Sequence, residues 1–177
     1  MKGFICGVAT VVVLLAVLLL FGLMGFVNMR ADKPPSRIEA TIAGHAMDES
    51  VSRDAPKMAN PIAADEANLI AGARLYFDHC ALCHGDPVHS KSPLADSLNP
   101  RAPQFMDEMA EMPENENFYI LKHGIRWTAM PGWKNVLSDQ QTWQVVTFLS
   151  HMNDLPAAAK QVFTESTAQT KLSSGSQ

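Results

Sequence analysis

A chain of 177 residues has room for one ordinary domain, and here both ends are taken up by segments of a different character, so the folded part is small. Eighteen acidic side chains against 14 basic ones leave a net charge of −4 and a pI near 5.8, which speaks against nucleic acid as a partner.

The first element is an apolar run. From Phe4 to Val27 every residue is apolar, Gly or Thr, 24 in all, and a helix of that length spans roughly 36 Å, more than the bilayer core of about 30 Å. A cleavable signal peptide has an apolar stretch of only about 7 to 15 residues closed by small residues, whereas Val27-Asn28-Met29-Arg30 offers no such end. Residues 1–29 are therefore expected to be an uncleaved, single-pass membrane anchor. Cys6 follows Ile5 rather than the small residue that precedes a lipidated bacterial cysteine, and reads as an ordinary residue of an apolar helix. Counted alone, the charges orient the anchor with its carboxyl end inside, because Arg30, Lys33 and Arg37 follow the run while only Lys2 and the amino terminus precede it.

Residues 28–63 carry Pro34, Pro35, Pro56 and Pro61 without the apolar period of a helix or a strand. Residues 30–63 are expected to be a flexible tether; a coil of this length has an end-to-end distance of about 30 to 36 Å.

Between residues 64 and 155 three helices are predicted and no segment argues for a sheet. The first runs from about Asp65 to His79, with Leu69, Gly72, Ala73, Tyr76 and Phe77 at helical spacing along one side. Directly after it comes Cys80-Ala81-Leu82-Cys83-His84, the Cys-x-x-Cys-His spacing by which a haem is bonded covalently to a polypeptide. Positions three apart on a helical turn lie side by side, so both thiols reach one edge of a porphyrin and add across its two vinyl groups. His84 then sits beneath the iron as proximal axial ligand. The rival readings of such a pair are a redox disulfide and half of a zinc site. The first wants alternating strands and helices. The second wants more ligands, and Cys6, His45, His79, His89, His123 and His151 show no tight pairing. Because bacterial c-type haem is attached outside the cytoplasmic membrane, the motif places the domain on the periplasmic or outer side, against the charge count at the anchor.

The second helix covers Glu114 to His123, opened by Pro113 and stopped by Gly124. The third starts at Ser138, where Ser138-Asp139-Gln140-Gln141 forms a capping box, and packs Trp143, Val145, Val146 and Leu149. Between them the loop from Arg126 to Trp133 carries Met130, the candidate for the second axial ligand, since Met raises the potential of cytochromes c and Pro131 stiffens the loop. Its rivals are Met112, whose Pro113 already opens a helix, and His123, whose charge suits a helix C-terminus. Met106, Met109 and Met112 recur every third residue as a packing face. Residues 156–177, Ala-rich and then rich in Ser, Thr and Gln, are expected to be a flexible tail, disordered from Ser173 to Gln177.

The order Gly72-x-x-x-Tyr76, Cys80-Ala81-Leu82-Cys83-His84-Gly85, His123-Gly124-Ile125, Met130-Pro131-Gly132-Trp133 and Trp143 resembles monohaem class I cytochromes c over about residues 64–155. It is most similar to the haem domains of membrane-anchored bacterial cytochromes and to the cytochrome c subunits of terminal oxidases and dehydrogenases. The resemblance implies an all-α fold: a small helical domain around one covalent haem c, preceded by the single transmembrane helix. It also implies that the first and last helices cross closely, with Gly72 against the Trp143 helix and Tyr76 beside it. A proline carbonyl, from Pro93, Pro100 or Pro103, would orient His84 through its other ring nitrogen.

With His84 and Met130 both on the iron, no coordination site is open. The implied function is electron transfer between Fe(II) and Fe(III) with redox protein partners, by a carrier that is not an enzyme by itself. The alternatives are a haem subunit of a larger respiratory complex and a ligand-binding or catalytic haem protein. Arg101, Arg126, Trp127 and Trp133 are candidates for the haem edge or its propionates. Between residues 64 and 155 six basic side chains face twelve acidic ones, a net charge near −6. Asp107, Glu108, Glu111, Glu114 and Glu116 gather beside the second helix, as a solvated face or as a surface that steers a basic partner.

Overall fold

The computed structural model describes residues 2–108 and 110–174, with side chains as far as Glu165. The described residues contain no strand; the helices are α1 (Lys2–Leu23), α2 (Arg37–Asp54), α3 (Glu66–His79), α4 (Ala81–His84), α5 (Glu114–His123), α6 (Asp139–Ser150) and α7 (Ala157–Ser174). The chain divides after Arg30 into two compact units.

The first unit is α1, whose 22 residues bury nothing. At about 1.5 Å per residue it is roughly 33 Å long, so length and composition qualify it to cross a bilayer. It ends four residues before the apolar run does. Gly25, at φ 77, turns the chain, and the Phe26 N–H reaches back to the Phe21 carbonyl (3.3 Å) in a left-handed cap.

The second unit opens on a departure from the sequence reading. Within the stretch 30–63, expected to be flexible, Arg37–Asp54 is an 18-residue helix. Its start is a capping box: the Ser36 hydroxyl accepts from the Glu39 N–H (3.2 Å), and the Glu39 carboxylate accepts from the Ser36 N–H (3.3 Å). Val51 and Ala55 are buried and α2 packs on α5. The chain stays attached beyond that point. Asn115 donates to the Pro56 carbonyl (3.1 Å), Asn60 donates to the Thr147 hydroxyl (2.8 Å), and Ile62 packs on Phe118, Trp143 and Val146.

The three helices predicted between 64 and 155 stand where the apolar spacing of the first and the end signals of the other two put them. Asp65 caps α3 by accepting from the Asn68 N–H (2.8 Å), Gly124 ends α5 at φ 71, and Ser138 and Gln141 form the capping box of α6. α3 and α6 cross at Gly72: a Cβ there would fall on the Gln144 carbonyl oxygen and lie 2.7 Å from the Phe148 Cβ. α5 joins them through Phe118 and Trp143, whose rings stack 4.2 Å apart.

The second departure follows Pro156. Where a flexible tail was expected, α7 packs on α3. Ala159 and Phe163, four residues apart and hence on one side of the helix, are buried. The Phe163 ring lies 5.7 Å from Tyr76 and 5.0 Å from Phe148, completing an aromatic cluster with the 5.4 Å pair of Tyr76 and Phe148. Alanine is the strongest helix former, so the Ala157-Ala158-Ala159 run favours the helix that the apolar contacts then hold. Of the disorder expected from Ser173 to Gln177, Ser173 and Ser174 continue the helix; residues 175–177 lie outside the described residues, as does Met109 of the methionine face.

Candidate haem site

α3 runs directly into the site. The Cys80 N–H donates to the Tyr76 carbonyl (2.7 Å) at its last turn, α4 adds one turn more, and Gly85 at φ 87 reverses the chain. A Cβ on Gly85 would lie 2.8 Å from the Ser90 carbonyl oxygen, so this position needs glycine for its conformation and for space. A helix of one turn has almost no carbonyl with a helical partner. Here every carbonyl from Cys80 to Gly85 is met. That of Cys80 accepts from the N–H of Cys83 (3.1 Å) and His84 (3.0 Å), and that of Ala81 from Gly85 (2.9 Å). The Leu82 carbonyl accepts from the Ser92 hydroxyl, the Cys83 carbonyl from Gln104 Nε2 (3.0 Å), and the His84 carbonyl from the Phe105 N–H (3.2 Å). The Gly85 carbonyl takes the buried Tyr76 hydroxyl (2.9 Å), which ties α3 and the aromatic cluster to the turn.

These bonds leave the reactive atoms alone. Cys80 and Cys83 are free thiols. His84 Nδ1 lies 2.8 Å from the Pro103 carbonyl, which can only accept, so Nδ1 carries the proton and Nε2 is the nitrogen left for a metal. Of the three competing prolines, Pro103 makes this bond. The Phe105 ring stacks on the imidazole at 4.6 Å and 10°. Burial lowers the His84 pKa below the usual imidazole value, outweighing the opposite pull of the Pro103 carbonyl, and keeps the ring in the neutral form that ligates.

The same surroundings argue against the rival readings of the cysteine pair. Burial, and then the neighbouring Cys83, pushes the Cys80 thiol up to about 12, whereas a redox-active pair has a lowered thiol. Among the described residues no three His, Cys, Asp or Glu side chains gather as a zinc site requires.

Met130 lies in a loop that folds back on the end of α5, with the Trp133 N–H on the Leu121 carbonyl (2.9 Å) and the Lys134 N–H on the Lys122 carbonyl (3.1 Å). The two strands of this loop touch at glycine: a Cβ on Gly124 would lie 2.6 Å from the Gly132 nitrogen. The backbone of Met130 is held on both sides, its N–H by the Thr128 hydroxyl (3.1 Å) and its carbonyl by the Ile125 N–H (3.1 Å). Its half-buried side chain packs on the core cluster that also receives Cys80 and Phe105; Met106 and Met152 pack there too.

The sequence-derived rivals sit elsewhere. The Met112 carbonyl accepts from Asn117 inside the first turn of α5 (2.8 Å), and His123 is exposed with its ring 4.6 Å from Tyr119. Of the residues considered for the haem edge, Arg101 is paired with Asp96 (2.6 Å), Trp133 lies 5.0 Å from the His79 ring, Arg126 is exposed, and Trp127 is 92% exposed at φ 61.

This donor set fits a covalently bound haem: two thiols one turn apart, an imidazole aimed by a carbonyl, and a thioether on a pinned backbone. Residues 67–149 match the family model of cytochrome c oxidase, cbb3-type, subunit III. Over this stretch the chain is similar to the cytochrome c domain of that family. No curated protein matches the chain. The matched part begins in α3 and ends in α6, so α2 and α7 pack on it from outside. Its turn is held by Ser92, Gln104 and Phe105, three residues that sequence reasoning missed. They lie in the stretch 86–112, where nothing before Met106 recurs with a period, and the burial of a lone polar side chain such as Ser92 or Gln104 leaves no mark in a sequence.

Proposed function

We propose that this chain is a membrane-anchored electron-transfer cytochrome c that carries one haem c through Cys80 and Cys83, with His84 and Met130 as axial ligands. The observation that carries the reading is the Cys80–His84 turn, whose carbonyls are all taken by protein groups while both thiols and one imidazole nitrogen are left for the porphyrin and its iron. When bound, the haem supplies a one-electron Fe(II)/Fe(III) couple. The residues around it bind and orient. The Pro103 carbonyl holds the His84 tautomer and strengthens the ring as a donor, Phe105 opposes its rotation, and the backbone bonds of Met130 fix the point on the chain from which its thioether would reach the iron. With both axial positions filled the protein passes electrons without making bonds on a substrate, a carrier and not an enzyme by itself.

The visible spectrum of the purified full-length protein tests this. The haem is expected to resist acid–acetone extraction, and the oxidised protein to show the charge-transfer band of a Met-ligated ferric haem. An extractable haem, or none, sinks the proposal.

Residues 1–29 anchor the protein in the cytoplasmic membrane, and residues 64–155 form the haem domain on the periplasmic or outer side, where c-type haem is attached. A reporter fused after Gln177 is expected to be active only in that compartment; activity in the cytoplasm would overturn orientation and attachment together. The family description, an oxidase subunit, favours a second reading in which the chain is the haem subunit of a larger respiratory complex. Co-purification with a catalytic subunit in mild detergent would select it over a freely acting carrier.

A further inference from the structure

We propose that Gln104, assisted by Ser92, is a positioning residue for haem attachment, because its side chain fixes the peptide plane that joins Cys83 to His84. The inference rests on the reading of Cys80–His84 as the attachment turn.

Gln104 is 1% exposed and Ser92 4%. A carboxamide buried without partners costs several kcal/mol, yet here its groups are engaged. Nε2 donates to the carbonyls of Cys83 (3.0 Å) and Ala102 (2.8 Å), and Oε1 accepts from the Ser92 N–H (2.7 Å). The residue is anchored at its backbone as well, where its carbonyl accepts from the N–H of Asp107 (3.0 Å) and Glu108 (2.9 Å). The Ser92 hydroxyl donates to the Leu82 carbonyl and accepts from the Leu94 N–H (3.2 Å). Two consecutive carbonyls of α4 are thus gripped by two buried side chains, and the Gln104 carboxamide is bonded in turn to the Ser92 backbone.

A peptide unit is planar and contains both flanking Cα atoms. Fixing the Cys83 carbonyl therefore restricts the directions in which the Cys83 thiol and the His84 imidazole leave the backbone. In attachment each thiol adds across a vinyl double bond, sulfur to one carbon and hydrogen to the other, with no atom lost and no net oxidation. Without the carboxamide that peptide plane is held only from its other side, by the His84 N–H on the Cys80 carbonyl (3.0 Å), so the aim of the Cys83 thiol is loosened, while Cys80 keeps its own bond to Tyr76 (2.7 Å).

The test uses full-length wild type, Gln104→Leu, Gln104→Glu and Ser92→Ala, matured in a host competent for haem attachment and purified in mild detergent. The first readout is alkylation of unreacted Cys83 in haem-containing protein, together with the red-shifted pyridine haemochrome of a retained vinyl. The second is the midpoint potential of the holo fraction. In Gln104→Leu the ratio of Cys83-alkylated to doubly attached chains is expected to rise on the order of tenfold, the factor by which one unmet buried carbonyl shifts an equilibrium. Ser92→Ala, which spares the bond to Cys83, is expected to give a smaller rise. A Gln104→Leu protein that accumulates poorly but is attached through both thiols at wild-type potential would make Gln104 a mere packing residue and overturn the proposal. Should Gln104→Leu not fold, wild-type attachment in both Gln104→Glu and Ser92→Ala would overturn it equally. Absence of covalent haem from the wild type would instead overturn the functional reading beneath it.

Discussion

Met130→Ala is expected to open the second axial position, so that the reduced variant binds carbon monoxide where the wild type does not and its midpoint potential falls by on the order of 100 mV or more. The substitution is unusually clean because the loop does not depend on the side chain. Both bonds that fix Met130 are made by its backbone, and the fold-back of the loop rests on Trp133, Lys134 and the glycine pair. Alanine keeps all of these. The thioether is only half-buried, so its loss costs less than the 2 to 5 kcal/mol of a fully buried methionine, roughly 1 to 2 kcal/mol. Changes in spectrum and potential therefore report the ligand and not unfolding. A variant with the wild-type spectrum would remove Met130 from the iron, and Met106 and Met152, which pack on the same cluster, would be the next to test.

Gly72→Ala is expected to lower the melting midpoint of the holo-protein by about 10 °C or more, as a loss of a few kcal/mol does in a domain of this size. The added carbon would meet the Gln144 carbonyl oxygen and the Phe148 Cβ, atoms fixed to the α6 backbone that no side-chain rotation can move. The helices would have to separate. Overpacking of this kind costs about 1 to 3 kcal/mol, and more where backbones shift, against a total stability of about 5 to 15 kcal/mol. The separation would also disturb the pair of Tyr76 and Phe148, and with it the hydroxyl that holds the Gly85 carbonyl. An unchanged melt would mean that α3 and α6 do not touch at Gly72.

The helices around the site were legible because α3 carries an apolar period and the other two their own punctuation: Pro113 and Gly124 about α5, the Ser138–Gln141 box before α6. α2 was not. Its only buried residue, Val51, lies in its last turn, too little to form a stripe, although Ser36-Arg37-Ile38-Glu39 spelled a capping box behind two prolines. α7 was hidden by the composition of a tail, since Ala159 and Phe163 alone bear on the core among its described side chains. In the site, Cys80, Cys83 and His84 could be named because their spacing is itself the chemistry. The choice of Pro103 over Pro93 and Pro100 could not, for it depends on how a segment without period wraps the turn. Gln104 was out of reach for the same reason: nothing local distinguishes a buried glutamine from a solvated one.

The place of Phe163 in the aromatic cluster also fixes an order of events. It lies 80 residues beyond Cys83, so a chain made amino end first presents both thiols long before the ring that finishes the core has arrived. The grip of Gln104 on Cys83 spans only 21 residues, and closing that shorter loop costs about 1 kcal/mol less entropy than closing one of 80. The attachment turn can therefore take its shape while the rest of the core is still being made.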